Sequence, residues 1–142
     1  MDRTDEAILN CLRSNARMSA SRIGQKVNLS VSAVLERIHR MEEQQIIQRY
    51  TAIVDQAKLG RPLSLLMGVS MEHPRYHDDF KQAMLQEQEV IRCEYLTGQV
   101  DFILRVAVAS HADLQALHQR ISKRPGVSGV TSYYVLESVK DQ

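Results

Sequence analysis

Between Ser19 and Gln44 the chain reads SASRIGQKVNLSVSAVLERIHRMEEQ. Two short segments with helical apolar spacing are separated only by Asn28-Leu29-Ser30. Three residues suffice for a tight turn between two crossing helices and for little else. This is the spacing of a helix-turn-helix, whose second helix is offered to the DNA major groove. Ser19 is placed to cap the first of the pair, and Ala20, Ile23 and Val27 point inward. Asn28 tolerates the left-handed conformation that ends many helices. Leu29 plugs the turn into the core, and Ser30 caps the helix that follows.

In that following helix the spacing predicts Val34, Leu35, Ile38 and Met41 as one apolar stripe, with Ser32, Ala33, Glu36, Arg37 and Arg40 off it. Small side chains at the helix start permit close approach to DNA. Arg37 and Arg40, one turn apart, have the reach for guanine edges or phosphates. Ser30, Ser32, Ala33, Arg37 and Arg40 are therefore the candidate DNA-binding residues. The competing reading is a solvated face whose arginines bridge to Glu36 or Glu43. Spacing alone leaves both open.

Upstream, Thr4 is a candidate N-cap, with Asp5 and Glu6 in the first turn where acids suit the helix dipole. Ile8, Cys11 and Leu12 then give a supporting helix ending near Ser14-Asn15. The formal net charge is only +1, yet Arg13, Arg17, Arg22, Lys26, Arg37, Arg40 and Arg49 crowd one segment. Such a confined basic patch is the electrostatic footprint of a polyanion partner.

Length and composition permit a soluble protein of one ordinary domain or two small ones: 142 residues, 44% apolar and 25% charged. No apolar run nears the roughly 18 residues of a membrane span, so no membrane partner is expected. Met1-Asp2-Arg3-Thr4-Asp5-Glu6 lacks a basic n-region followed by an apolar core, and a cytoplasmic location is expected. Cys11 and Cys93 lie far apart in apolar contexts, the pattern of two buried, reduced thiols.

Ile46 to Val54 is rich in β-formers. It reads as a wing, a linker, or a strand that pairs with another chain. A turn around Lys58-Leu59-Gly60 and Pro62 then marks a boundary, giving domains 1–60 and 61–142. Downstream the rhythm is strand (63–72), helix (76–88), strand (90–96), turn, strand (101–109), helix from Ser110, and strand (127–136). Phe102, Leu104, Val106 and Val108 share one face. This β-α-β-β-α-β order is the ferredoxin-like split βαβ sandwich, so the fold class is α+β. Its helices cover one sheet face, and a second copy is the economical cover for the other.

The loop Thr97-Gly98-Gln99-Val100-Asp101 joins two central strands. Glycine there can take positive φ and expose backbone N–H groups to a carboxylate. The competing reading is a plain hairpin turn in which Asp101 bonds its own backbone. His73 and His77 flank Pro74, and His111 and His118 lack an acid or thiol to complete a metal set. No nucleophile elbow, P-loop or paired-carboxylate signature occurs. Neither a catalytic site, a metal site nor a cofactor is expected. An RNA-binding module of the same strand order would need exposed aromatics that Asp101-Phe102-Ile103-Leu104-Arg105 does not supply.

Asp5-x-x-Ile8-Leu9, Arg17-x-Ser19, Val27-x-Leu29-Ser30, Val34-x-x-Arg37-Ile38-x-Arg40-Met41-Glu42, Ile46-Ile47-x-x-Tyr50-Thr51-Ala52, Thr97-Gly98-x-x-Asp101-Phe102 and Pro125-Gly126-Val127 occur in this order. Together they resemble the Lrp/AsnC family of leucine-responsive, or feast/famine, transcription regulators, over nearly the whole chain. The resemblance implies an N-terminal winged helix-turn-helix domain joined by a linker strand to a ferredoxin-like effector domain. It implies homodimers pairing through the effector sheets, often assembled into octamers or larger. It implies an amino acid or related metabolite bound between effector domains, with Thr97, Gly98, Gln99, Val100, Asp101 and Ser132 as candidate contacts. Double-stranded DNA would be the other partner. Two departures stand out. Gln45 replaces the family's usual glycine after the third helix, and Gln99-Val100 alters the glycine loop. The expected function is sequence-specific transcriptional regulation responding to a small metabolite. The alternative is an architectural DNA-binding protein of the same fold with no working effector site.

Overall fold

A computed structural model describes residues 1–141. The chain divides into two compact units, Met1–Ile53 and Val54–Gln142.

The first unit is three helices: α1 (Arg3–Ser14), α2 (Ala20–Val27) and α3 (Val31–Glu43). Helix α1 starts earlier than expected, because Asp2 rather than Thr4 is its N-cap. The Asp5 amide donates to Asp2 Oδ1 (2.8 Å), and the Asp2 amide donates to Asp5 Oδ2 (3.0 Å). This reciprocal capping box satisfies two otherwise orphaned donors, which Thr4, inside the first turn, could not do. Ser19 and Ser30 cap α2 and α3 as expected, accepting from the amides of Arg22 and Ala33 at 3.2 Å. Asn28 ends α2 at φ 56°, ψ 47°.

Ile8, Ile23, Val34 and Met41 are buried together, ringed by half-buried Leu9, Leu12, Val27, Leu29 and Ile38. Leu35 departs from the expected stripe and is 52% exposed. Each helical step turns about 100°, so a residue adjacent to buried Val34 swings off the contact face, whereas Ile38 and Met41 return to it. The turn depends on Gly24. A Cβ there would press into the Leu29 carbonyl oxygen. The Gly24 carbonyl itself accepts from the Leu29 amide at 3.0 Å.

Helix α3 closes with a Schellman arrangement. The Gln45 amide donates to the Glu42 carbonyl (3.0 Å) and the Ile46 amide to that of Met41 (2.9 Å). Gln45 accordingly takes φ 56°, the left-handed region where glycine is at ease and other residues are strained. No ladder forms along Ile46–Val54. The expected linker strand, and any wing hairpin, is therefore absent from the described residues of the single chain. A strand needs a neighbour for its backbone groups, and this stretch has none within the unit. Tyr50 is nevertheless tied back, its hydroxyl donating to Glu42 Oε1 at 2.7 Å. Partial burial and the Glu42 charge push its pKa up to about 12.

The second unit runs β1 (Leu63–Met71), a 3-10 turn (Pro74–Tyr76), α4 (His77–Gln86), β2 (Val90–Tyr95), β3 (Phe102–Val108), α5 (His111–Ser122) and β4 (Val127–Tyr134). The strands form one antiparallel sheet in the order β2-β3-β1-β4. Strand alternation places Leu65, Met67 and Val69 on the same face as Phe102, Leu104 and Val106. Phe80, Met84, Leu117 and Ile121 from the two helices bury that face. On the other face Leu66 and Ile103 are half-buried and Tyr133 is 60% exposed. Cys11 is half-buried and Cys93 exposed, so the expectation of two buried thiols fails at Cys93. It lies on edge strand β2, whose residues from Ile91 to Tyr95 are all exposed.

Two substitutions test this reading. Gln45→Gly removes the strain of a Cβ at positive φ and should stabilise the first unit by about 0.5–1 kcal/mol. An unchanged urea midpoint would show that the conformation costs nothing. Gly24→Ala should destabilise it by about 2–3 kcal/mol through the clash with Leu29. An ordinary exposed helical glycine would instead gain about 1 kcal/mol from alanine, so the sign of the change decides.

Candidate functional site

Helix α3 presents its open face to solvent because Val34, Ile38 and Met41 take the other side into the core. Ser30 and Ser32 stand exposed at its N-terminus, their hydroxyls 3.2 Å apart. Ala33 is half-buried, and the Arg40 side chain is 48% exposed. Arg13, Arg17, Arg22, Lys26 and Arg49 are all exposed on the same unit. The unit thus combines an accessible helix of small N-terminal side chains with several exposed basic residues.

Arg37 sits differently. Only 25% of its side chain is exposed. Its Nη1 donates to Asp2 Oδ2 (2.9 Å), Asp2 Oδ1 (3.0 Å) and Asp5 Oδ1 (2.8 Å). Arg40 reaches Asp5 Oδ1 at a longer 3.3 Å. The bridges to Glu36 or Glu43 of the competing reading are not the ones made, since the acceptors are Asp2 and Asp5 at the start of α1. The Asp5 side chain is only 4% exposed. Its carboxyl is held below the usual range by the Asp2 amide and then by the Arg37 guanidinium. The Arg37 guanidinium, followed by the Asp5 amide, brings Asp2 down to about 2. Both acids push the Arg37 pKa upward. All three groups therefore stay charged at neutral pH.

In the second unit the loop 97–101 is anchored by Asp101. Its Oδ2 accepts from the Met71 amide at 2.6 Å, and its own amide donates to the Val69 carbonyl at 2.9 Å. The Leu96 amide closes the loop onto the Asp101 carbonyl at 2.8 Å. One carboxylate oxygen is thus committed to backbone, and Asp101 is a brace for the loop. Gly98 has φ 131°, and Thr97, Gly98 and Gln99 are exposed. Val100 packs over Gly68, where a Cβ would lie 3.2 Å from its Cγ1.

Ser132 is not brought to this loop within one chain. It pairs with Met67, which belongs to the helix-covered face, whereas Gly68 and Val100 lie on the other. The β4 residue opposite Gly68 is Thr131. The sequence reading missed it because assigning a face requires the pairing register, which alternation alone cannot supply. Two open grooves of about 680 and 500 Å³ lie along α4, α5 and the loops beside them, and neither includes a candidate effector residue. Among the described residues no group of histidine, cysteine and acidic side chains could hold a metal ion. None of their helices is long and apolar enough to cross a membrane.

Comparison with known proteins gives this geometry a family. Residues 1–42 match the AsnC-type helix-turn-helix domain, and residues 64–142 the Lrp/AsnC ligand binding domain. The chain is 36% identical to the Bkd operon transcriptional regulator of Pseudomonas aeruginosa, covering 98% of this chain and 93% of that one. It is 31% identical to the leucine-responsive regulatory protein of Escherichia coli K12, covering 99% and 87%. A transcriptional regulator of Neisseria meningitidis, solved as a complex with L-Met, superposes with a TM-score of 0.93. That match has 26% identity and covers 99% of this chain and 93% of that one. A helix-turn-helix with an accessible third helix, followed by a ligand-binding βαββαβ unit, makes this chain a member of the Lrp/AsnC family of transcriptional regulators.

Proposed function

We propose that the protein binds operator DNA as a homodimer or a higher assembly of dimers, such as an octamer, and that an amino acid tunes this binding. What carries the reading is the union in one chain of a helix-turn-helix unit and a Lrp/AsnC ligand-binding unit. Two copies of α3 would enter successive major grooves about 34 Å apart. Ser30, Ser32, Ala33 and Arg40 would approach the DNA, Ser30 and Ser32 at the helix N-terminus where backbone amides favour phosphate. The second copy would cover the sheet face that bears Leu66, Ile103 and Tyr133. The protein would act in the cytoplasm and carry out no catalysis.

For the effector we propose the loop Thr97–Asp101. Exposed amides around Gly98 suit a carboxylate, and Asp101 holds the loop in shape. Thr131 shares the sheet face of Val100. Ser132, on the opposite face, would reach an effector only in a site shared between copies. The L-Met complex of the Neisseria regulator supports an amino acid as the class of ligand. Allostery then requires that the ligand bind one assembly or DNA-bound state more tightly than another.

Melting the protein in the presence of each common amino acid tests the sensor. A ligand at about one hundred times its Kd stabilises the folded state by roughly 2.7 kcal/mol. One or a few amino acids should therefore raise Tm by several degrees and also shift the affinity for a selected duplex. If none does either, the protein is better read as an architectural DNA binder. Sedimentation should give multiples of twice 16.2 kDa. A monomer at micromolar concentration would sink the paired arrangement.

A further inference from the structure

We propose that Arg37 is a positioning residue for DNA binding and not a DNA contact, with Asp2 and Asp5 holding it in place of a phosphate. This rests on the reading of α3 as the DNA-facing helix.

The geometry carries it. Arg37 meets both oxygens of Asp2 and one of Asp5 at 2.8–3.0 Å. Phosphate recognition would draw on the same guanidinium, whose Nη1 is already committed to both acids. Asp5 cannot readily release it. Its side chain is only 4% exposed, and its other oxygen already accepts from the Asp2 amide. Withdrawing Arg37 toward DNA would leave a buried carboxylate with the Asp2 amide and, as its one charged partner, the longer Arg40 contact at 3.3 Å, a loss that outweighs what an exposed pair returns. Arg40 differs on each count, being 48% exposed and loosely held.

The helix geometry agrees. Steps of about 100° place Val34, Ile38 and Met41 around the buried direction, with Arg37 at the edge of that face toward α1. Ser32, Glu36, His39 and Arg40 fall on the open side, and all four are exposed. A bifurcated ion pair from the capped N-terminus of α1 to the middle of α3 fixes how α3 is rotated about its axis, and so which side chains face the groove. Asp5 serves two purposes at once, as the third residue of the capping box and as the seat of Arg37.

The salt dependence of DNA binding distinguishes positioning from contact. Each phosphate neutralised contributes about 0.9 to the slope of log K against log salt. The probes are a duplex selected by the full-length protein from a random pool and an unselected duplex of equal length. Arg40→Ala should reduce the slope by about one. Arg37→Ala should leave the slope unchanged while reducing the preference for the selected duplex at least tenfold, with partial recovery in Arg37→Lys. Asp5→Asn, in which the buried charge that helps hold Arg37 is removed, should steepen the slope by about one and strengthen binding to the unselected duplex. The gain should vanish when the same change is made together with Arg37→Ala, which separates a freed Arg37 from the mere loss of a negative charge; a gain that persists there overturns the proposal. Should Asp5→Asn fail to fold, Asp2→Asn removes the exposed acid and should move the slope in the same direction. A slope reduced by Arg37→Ala as much as by Arg40→Ala overturns the proposal, as does an unchanged slope in the aspartate variants. If the wild-type protein binds neither duplex, the DNA-binding reading itself fails.

Discussion

The buried carboxylate of Asp5 is the interaction on which the first unit turns. Placing an acid where only 4% of its side chain is exposed requires that each oxygen find a donor, because an unpaired buried charge is unaffordable. The donors come from two places distant in sequence: the Asp2 amide at the start of α1, and Arg37 with Arg40 on α3. One side chain therefore caps a helix and orients another. The apolar contacts of Ile8, Ile23, Val34 and Met41 hold the three helices together, but such packing is non-directional and tolerates some rotation of α3. Ion pairs of fixed reach remove that freedom. A helix that must present a few side chains to a groove needs such a constraint.

The second unit is organised by the two-sidedness of its sheet. Both helices pack on one face, and the alternation of β1 and β3 fills that face with Leu65, Met67, Val69, Phe102, Leu104 and Val106. The same alternation sends Leu66, Ile103 and Tyr133 to the opposite face. The loop after β2 crosses to that side, where Val100 settles on Gly68. Strand pairing thus sets both the closed core and the open face, and a slip of one residue would exchange them.

Much of this was legible in the residues. The caps at Ser19 and Ser30 rest on local hydrogen bonds, and the αL end at Asn28 on local sterics. Neither needs tertiary help. The β-α-β-β-α-β order followed from periodicity and turn residues. Where the reading failed, the cause was a partner distant in the chain or missing from it. Leu35 looked like core because periodicity alone does not fix where an apolar stripe ends. Thr4 has the composition of a cap, but the reciprocal bonds between Asp2 and Asp5 start the helix before it. Ile46 to Val54 has the composition of a strand, but a strand exists only beside another.

The sequence by itself therefore determined the helices and the sheet strands, their order and, through its motifs, the family, since those elements rest on local sterics, caps and the 3.6- and 2-residue periods. Tertiary structure alone decided the partners of charged and polar groups. It turned Arg37 toward α1 instead of solvent, committed Asp101 to the Met71 amide, and put Ser132 and Val100 on opposite faces of the sheet. Long side chains such as arginine can reach several acids, and strand register has several solutions one residue apart. Only the assembled packing, with the penalty on unpaired buried charge, selects among them.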